Sequence, residues 1–272
     1  MYKLGLNYYS GFGIPCEDWM KTVKELGFDA VFSGFTAKSA DKLLSMGEFA
    51  ELAAKNGLVY DCIHAPFDTI NDIWSTADCG DVMLNRLTDC IEGCGKYGVP
   101  TVVVHLSSGT KPPHINDAGR LRFDKLIDCA VKNNVTVAFE NQRKFGNLSF
   151  VMELYEDVKN VGFCWDVGHE KCFASGKEFM PIFGDRLVYT HIHDNYCLPN
   201  GDFHMIPFDG KIDYSRTAEL IKKYPCSNGT LTLEVFPIPG NQIYYLYEGL
   251  TACEYYAKAY NAASKLRQLV EN

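Results

Sequence analysis

Six short apolar runs in this chain of 272 residues each end in a side chain that can bind a metal ion or move a proton. They are Tyr60–His64, Thr101–His105, Thr136–Glu140, Val161–Asp166, Leu187–His191 and Thr230–Glu234. Just beyond them come His169, three residues after Asp166, then His193 and Asp194, then Asp202 and His204; of the seven histidines only His114 lies elsewhere. Nitrogen and oxygen donors without an obvious thiolate suit Zn²⁺, Mn²⁺ or Mg²⁺. Taken singly, each residue has a plainer use. His64 or His105 could be a hydrogen-bonded core histidine, Glu140 or Glu234 the partner of a buried arginine, and Asp166 a helix cap. Taken together they are costly, because uncompensated buried carboxylates are strongly destabilising and few cations, Arg143 and Lys171 among them, lie near them in sequence. A divalent cation is the expected partner.

Residues so far apart need a scaffold that gathers them. Two further runs, Lys3–Asn7 and Ala30–Phe35, precede the six, making eight. Between runs lie segments with apolar residues three and four apart, such as Trp19, Val23 and Leu26, or Leu84, Leu87 and Ile91. Gly27, Gly57 and Gly98 are placed to end helices. Eight strand–helix units predict an α/β fold, a single (β/α)8 TIM barrel over residues 1–272, whose strand C-termini converge on one mouth. A doubly wound open sheet would carry a glycine-rich phosphate turn after the first strand, and Tyr8 to Gly13 offers only Gly11 and Gly13. The least periodic stretches, Lys111–His114 and Tyr196–Gly210, follow strand ends and belong at the catalytic face.

Composition limits the function classes. The chain is 47% hydrophobic and 22% charged, enough to bury a large core and unlike a disordered segment. No apolar run has the roughly 18 residues of a membrane helix, and the first residues run into a strand without a signal-peptide core. Eleven cysteines, an odd number with no Cys-x-x-Cys pair, read as reduced thiols. The expectation is a soluble cytoplasmic protein. A net charge of −8 disfavours a nucleic-acid partner.

With these residues in view, the chain resembles the xylose-isomerase-like TIM-barrel superfamily, which includes sugar isomerases and epimerases, inosose dehydratase and endonuclease IV. The matching motifs run in order from Cys62-Ile63-His64 and Val104-His105 through Phe139-Glu140-Asn141 to Asp166-Val167-Gly168-His169. His191-Ile192-His193-Asp194-Asn195, Asp202-Phe203-His204 with Asp209 to Asp213, and Leu233-Glu234 complete them. The resemblance implies a central metal site of Glu140, Asp166, His191 and Glu234. It implies a second site of His64 and His105 sharing Glu140, and a third of His169, Asp202 and His204, so one to three divalent ions. His191 rather than His193 is taken as the ligand, since that keeps Asp194 in the family's His-x-x-Asp register.

The expected activity is a metal-dependent isomerisation or epimerisation of a sugar, sugar phosphate or polyol, by proton transfer α to a carbonyl through an enediolate. Glu140, Glu234 and His169 are the expected catalytic residues. His64, His193, Trp165 and Phe67 are expected to contact the substrate, and Tyr8, Tyr9, Phe35 and Phe236 are further candidates for an apolar wall. An endonuclease IV-like phosphoesterase is the alternative, along with an inosose-dehydratase-like lyase. The phosphoesterase would need cations at the mouth, and Lys38, Lys111, Arg143 and Lys171 are scattered singly among acids. A non-catalytic barrel with structural metal is disfavoured by the open, oxygen-rich donor set. The expected partner is a small-molecule sugar or polyol, with no membrane and with a homo-oligomer left open.

Overall fold

A computed structural model describes residues 1–38, 43–174, 176–237 and 244–272. Its eight-stranded parallel sheet comprises β1 (Lys3–Asn7), β2 (Ala30–Gly34), β3 (Val59–His64), β4 (Thr101–Val104), β5 (Thr136–Glu140), β6 (Val161–Asp166), β7 (Leu187–His191) and β8 (Thr230–Leu233). Neighbours in sequence are neighbours in the sheet, and β8 returns to pair with β1 from Lys3↔Thr230 to Leu6↔Leu233. The β7–β8 seam closes just past β7. There Ile192 bridges Leu233, its N–H donates to the Thr232 carbonyl at 2.9 Å, and Glu234 N–H donates to the Ile192 carbonyl at 3.1 Å. The result is the expected single barrel, with β4 and β8 ending one residue before His105 and Glu234. A short antiparallel pairing of Ala37–Lys38 with Leu43–Leu44 was not expected.

Nine α-helices lie among the described residues: α1 (Cys16–Leu26), α2 (Met46–Lys55), α3 (Cys79–Tyr97), α4 (Asp117–Asn133), α5 (Phe145–Leu154), α6 (Val167–Phe173), α7 (Met180–Phe183), α8 (Tyr214–Lys223) and α9 (Ala252–Glu271). The count exceeds eight because α6 and α7 share the crossover from β6 to β7. Gly27 and Gly98 end α1 and α3 in the left-handed conformation that glycine adopts without a Cβ penalty. Ser45 with Glu48 and Thr251 with Glu254 form capping boxes at α2 and α9. None of these helices is long and apolar enough to cross a membrane.

Side chains alternate along each strand, and that alternation builds the site. Phe32, Cys62, Val103, Ala138, Cys164 and Tyr189 form a separate buried cluster inside the barrel. Two residues further along the same strands come His64, His105, Glu140, Asp166 and His191, so the ionisable layer stands directly on this apolar floor. The intervening residues, including Ile63, Val104, Phe139 and Trp165, join the larger core beneath the helices.

A second buried carboxylate, Asp61, sits where the β2–β3 register shifts between Val31 and Phe32 and accepts a hydrogen bond from Tyr189 Oη at 3.0 Å. Burial raises its pKa to about 6 against the opposing hydrogen bonds of Tyr189 and Thr230. A raised carboxylate pKa favours folding most below the unfolded value near 3.8, and that advantage is lost as pH rises through about 6. Asp61→Asn should therefore gain stability relative to the parent as pH rises from 4 to 8, by up to about 3 kcal/mol. Urea unfolding at the two pH values measures it, and a difference independent of pH would contradict it.

Candidate metal and active site

Glu140 stands at the centre of the mouth. Its Oε1 meets His191 Nδ1 at 2.8 Å, while its Oε2 contacts His105 Nε2 and lies 3.6 Å from His64 Nε2. His191 Nδ1 also lies 3.4 Å from Glu234 Oε2, bringing β5, β7 and the end of β8 together. Donor atoms fall into three main sets, each within 4.8 Å: His64, His105 and Glu140; Glu140, Asp166, His191 and Glu234; and His169, His193, Asp202 and His204. Glu140 belongs to two of them.

All nine expected ligands are thus gathered, and His193 joins the third set. The choice between His191 and His193 dissolves, because ordinary alternation past β7 turns both inward, one pleat apart. His193 Nε2 faces Asp166 at 3.0 and 3.2 Å, and its ring stacks on His204 with centroids 4.0 Å apart. Gly168 makes room for it, since a Cβ at that position would overlap the His193 imidazole. Asp166 fills both roles weighed for it: it caps α6 by accepting the His169 N–H at 2.6 Å, and it faces the site.

The donors fit a divalent cation. Glu140, Asp166 and Glu234 are buried, and their ion-pair partners among the described residues are histidines, with no lysine or arginine. Lys171 is spent on Glu170 at 2.7 Å, and Arg143 lies over Phe173. Lys111 is exposed and absent from the cavity wall, and the side chain of Lys38 is outside the described residues. Within the cluster the carboxylates are therefore faced by imidazoles. Burial opposes ionisation of Glu140, yet the charges of His105 and His191 keep its carboxyl well below the ordinary range. Burial also disfavours protonated His191 and His204, but Glu234 and Glu140 lift the first to about 9 and Asp202 lifts the second to about 10. His105, where burial dominates, is instead lowered. Cys164 reaches within 4.8 Å of Glu140 and His191, and burial pushes its thiol well above the usual range.

Above the ligands opens a cavity of about 750 Å³. His64, His105, Glu140, His169, Asp202, His204 and Glu234 line its floor, and Tyr8, Phe35, Phe67 and Phe236 its walls. The Phe67 ring centroid lies 4.7 Å from that of His105. Trp165 must be corrected: it is fully buried, lies outside the cavity and donates its indole N–H to Glu170 at 2.9 Å. Standing between Cys164 and Asp166, it faces the helices by the same alternation that turns its neighbours inward. Tyr9 likewise stays out of the cavity, packed on Phe12 and Phe236.

Sequence reasoning missed Gln142, whose buried amide Nε2 lies 3.3 Å from Glu140 Oε2, 3.2 Å from His105 Nε2 and 3.1 Å from His169 Nδ1. Its signal was present, since it follows Glu140 by two residues. Phe32, stacked 5.1 Å from His191, had no such signal.

Asp194 does not face the substrate cavity. Its buried carboxylate accepts N–H groups from Asn195 at 2.8 Å, Gly210 at 2.9 Å and Ile212 at 3.0 Å, fastening the loop that carries Asp202 and His204. Cys197, Asn200, His204 and Phe208 in that loop have positive φ, a cost that these bonds help offset. Asp194→Ala should destabilise the protein by about 3 kcal/mol, because buried donors lose their acceptor. It should also open the 196–212 segment to proteolysis. Unchanged stability and protease resistance would refute the anchoring role.

Eight parallel strands with this mouth define a (β/α)8 barrel with a metal-type ligand cluster. The chain belongs to the xylose isomerase-like TIM barrel family, whose model matches residues 20–251. It is 28% identical to the uncharacterized protein y4fM of Sinorhizobium fredii over 72% of this chain, and 28% identical to a probable endonuclease 4 of Cenarchaeum symbiosum over 51%. These matches span 63% and 51% of the relatives' own lengths. Among solved structures, the D-psicose 3-epimerase of Clostridium cellulolyticum superposes with a TM-score of 0.77 at 17% identity, covering 98% of this chain and 99% of the other. The 3-keto-D-glucoside 4-epimerase of E. coli gives 0.71 at 15%, covering 98% and 100%. At such identities the likeness is one of fold.

Proposed function

We propose that this protein is a sugar isomerase or epimerase that exchanges the proton α to a carbonyl with the help of a divalent cation. The observation that carries this reading is the convergence of Glu140 and Glu234 on one ligand set with Asp166 and His191, at the floor of an aromatic-walled cavity. A cation held by those four residues would supply Lewis-acid polarisation of the carbonyl. Two carboxylates reaching the substrate from β5 and the end of β8 can take the proton from one face and return it from another. His169 and His64, both on the cavity floor, can hydrogen-bond substrate oxygens, and Phe67 with Phe236 can cover an apolar sugar face. That both fold relatives named above are sugar epimerases agrees with this reading.

A metal-dependent phosphoesterase is the second reading. What favours it is the division of the ligands into three sets rather than one, together with the endonuclease 4 relative. Net charge of −8 weighs against a DNA substrate. The two part on a panel assayed with metal-loaded protein. Conversion of a ketose, with abasic-site DNA left intact, supports the first reading, and DNA cleavage without ketose conversion replaces it with the second.

A further inference from the structure

We infer that Arg143 is a specificity residue that holds an anionic group, phosphate or carboxylate, on the far end of the substrate; this rests on the sugar reading above. Arg143 lies three residues past Glu140, on the cavity wall. Its guanidinium carbon sits 3.6 Å from the centroid of Phe173, and its Nε–H donates to Asn200 Oδ1 at 3.3 Å. Neither partner is charged, and no ion pair joins Arg143 to the described residues. The cavity's other arginine, Arg86, is already committed to Asp68 at 2.6 Å and to Thr69. Of the two arginines on a cavity with carboxylates on its floor, Arg143 is the one without a carboxylate partner among the described residues.

The geometry also orients it. Phe173 and Asn200 engage the ring-facing side and the Nε edge, so the two terminal amino groups keep their N–H donors for a planar or tetrahedral oxyanion, which a guanidinium binds through two parallel bonds. The same Phe173 ring stacks on His169 at 4.8 Å. Arg143 is thereby tied to the ligand layer through one aromatic ring. A substrate whose carbonyl end reaches the floor would bring its other end to the guanidinium. Placement by the distal anion would then orient the reacting carbon, as remote binding groups do.

The test is calorimetric binding of D-fructose, D-fructose 6-phosphate and D-fructuronate to metal-loaded parent, Arg143→Gln and Arg143→Lys proteins, with solvent-deuterium exchange followed in parallel. The parent should bind one of the two anionic sugars at least tenfold more tightly than fructose, and which one identifies phosphate or carboxylate as the group. Arg143→Gln should abolish that difference, and Arg143→Lys should retain part of it. Equal affinities in the parent overturn the inference. A preference that survives Arg143→Gln also overturns it, by assigning the anion to the metal cluster. If the Arg143-dependent preference is present but no sugar exchanges deuterium, the anion site stands and the isomerase reading fails.

Discussion

Asp166→Ala should lose the central metal and the activity together. Asp166 supplies one oxygen to the α6 cap and faces Glu140, His191 and Glu234 with the carboxylate, but has no place in proton transfer under this account. Removing it leaves Glu140 and Glu234 as the carboxylates of the central set. It also strips His193 of its acceptor at 3.0 Å, disturbing the third set. Divalent-ion affinity should fall by at least about 10²-fold, since even outer partners of metal ligands cost 10 to 100-fold. Metal analysis after dialysis reads the loss directly, alongside turnover on the same sample. Loss of the α6 cap adds about 1 kcal/mol of destabilisation, which thermal unfolding separates from the metal effect. Full activity in metal-free Asp166→Ala protein would remove the cation from the account.

Glu140→Gln and Glu234→Gln form the second strong expectation. Glutamine keeps the shape and one ligating oxygen but cannot accept a proton, so turnover should drop by at least about 10²-fold in each. Sugar binding should survive better than turnover, giving a larger change in kcat than in KM. The two variants should also differ from one another. Glu140 touches His64, His105 and His191 and is shared by two ligand sets, so its replacement should cost metal as well. Glu234 lies in the central set and lines the cavity, so its replacement should leave more metal bound. Equal turnover in either variant and the parent would exclude that carboxylate as the base.

Much of this site was legible because one rule governs both fold and chemistry. A strand with period two that ends at a mouth must turn every second residue inward, so Cys62 predicts His64, Ala138 predicts Glu140 and Cys164 predicts Asp166. The same rule, applied consistently, would have placed Gln142 inside, His193 beside His191 among the ligand donors, and Trp165 outside. Trp165 was assigned to the wall for being aromatic beside a ligand, where residue type was allowed to outweigh parity. The loop residues were harder. Nothing in the spacing of Arg143 and Phe173 announces a stack between the β5 loop and the end of α6, because loop conformation follows tertiary packing rather than period. The division of the sixth crossover into α6 and α7 was equally hidden, since a four-residue helix leaves too few positions for a periodic signal.

Incubation in deuterated water reads proton exchange at the carbon next to a carbonyl without a coupled assay. Metal-loaded protein with a ketose that it binds should place solvent deuterium at that carbon, seen by proton NMR as loss of one signal, and Glu140→Gln should suppress the exchange by at least about 10²-fold. No incorporation into any ketose tested, with efficient cleavage of abasic-site DNA by the same preparation, would contradict the account and establish the phosphoesterase reading in its place.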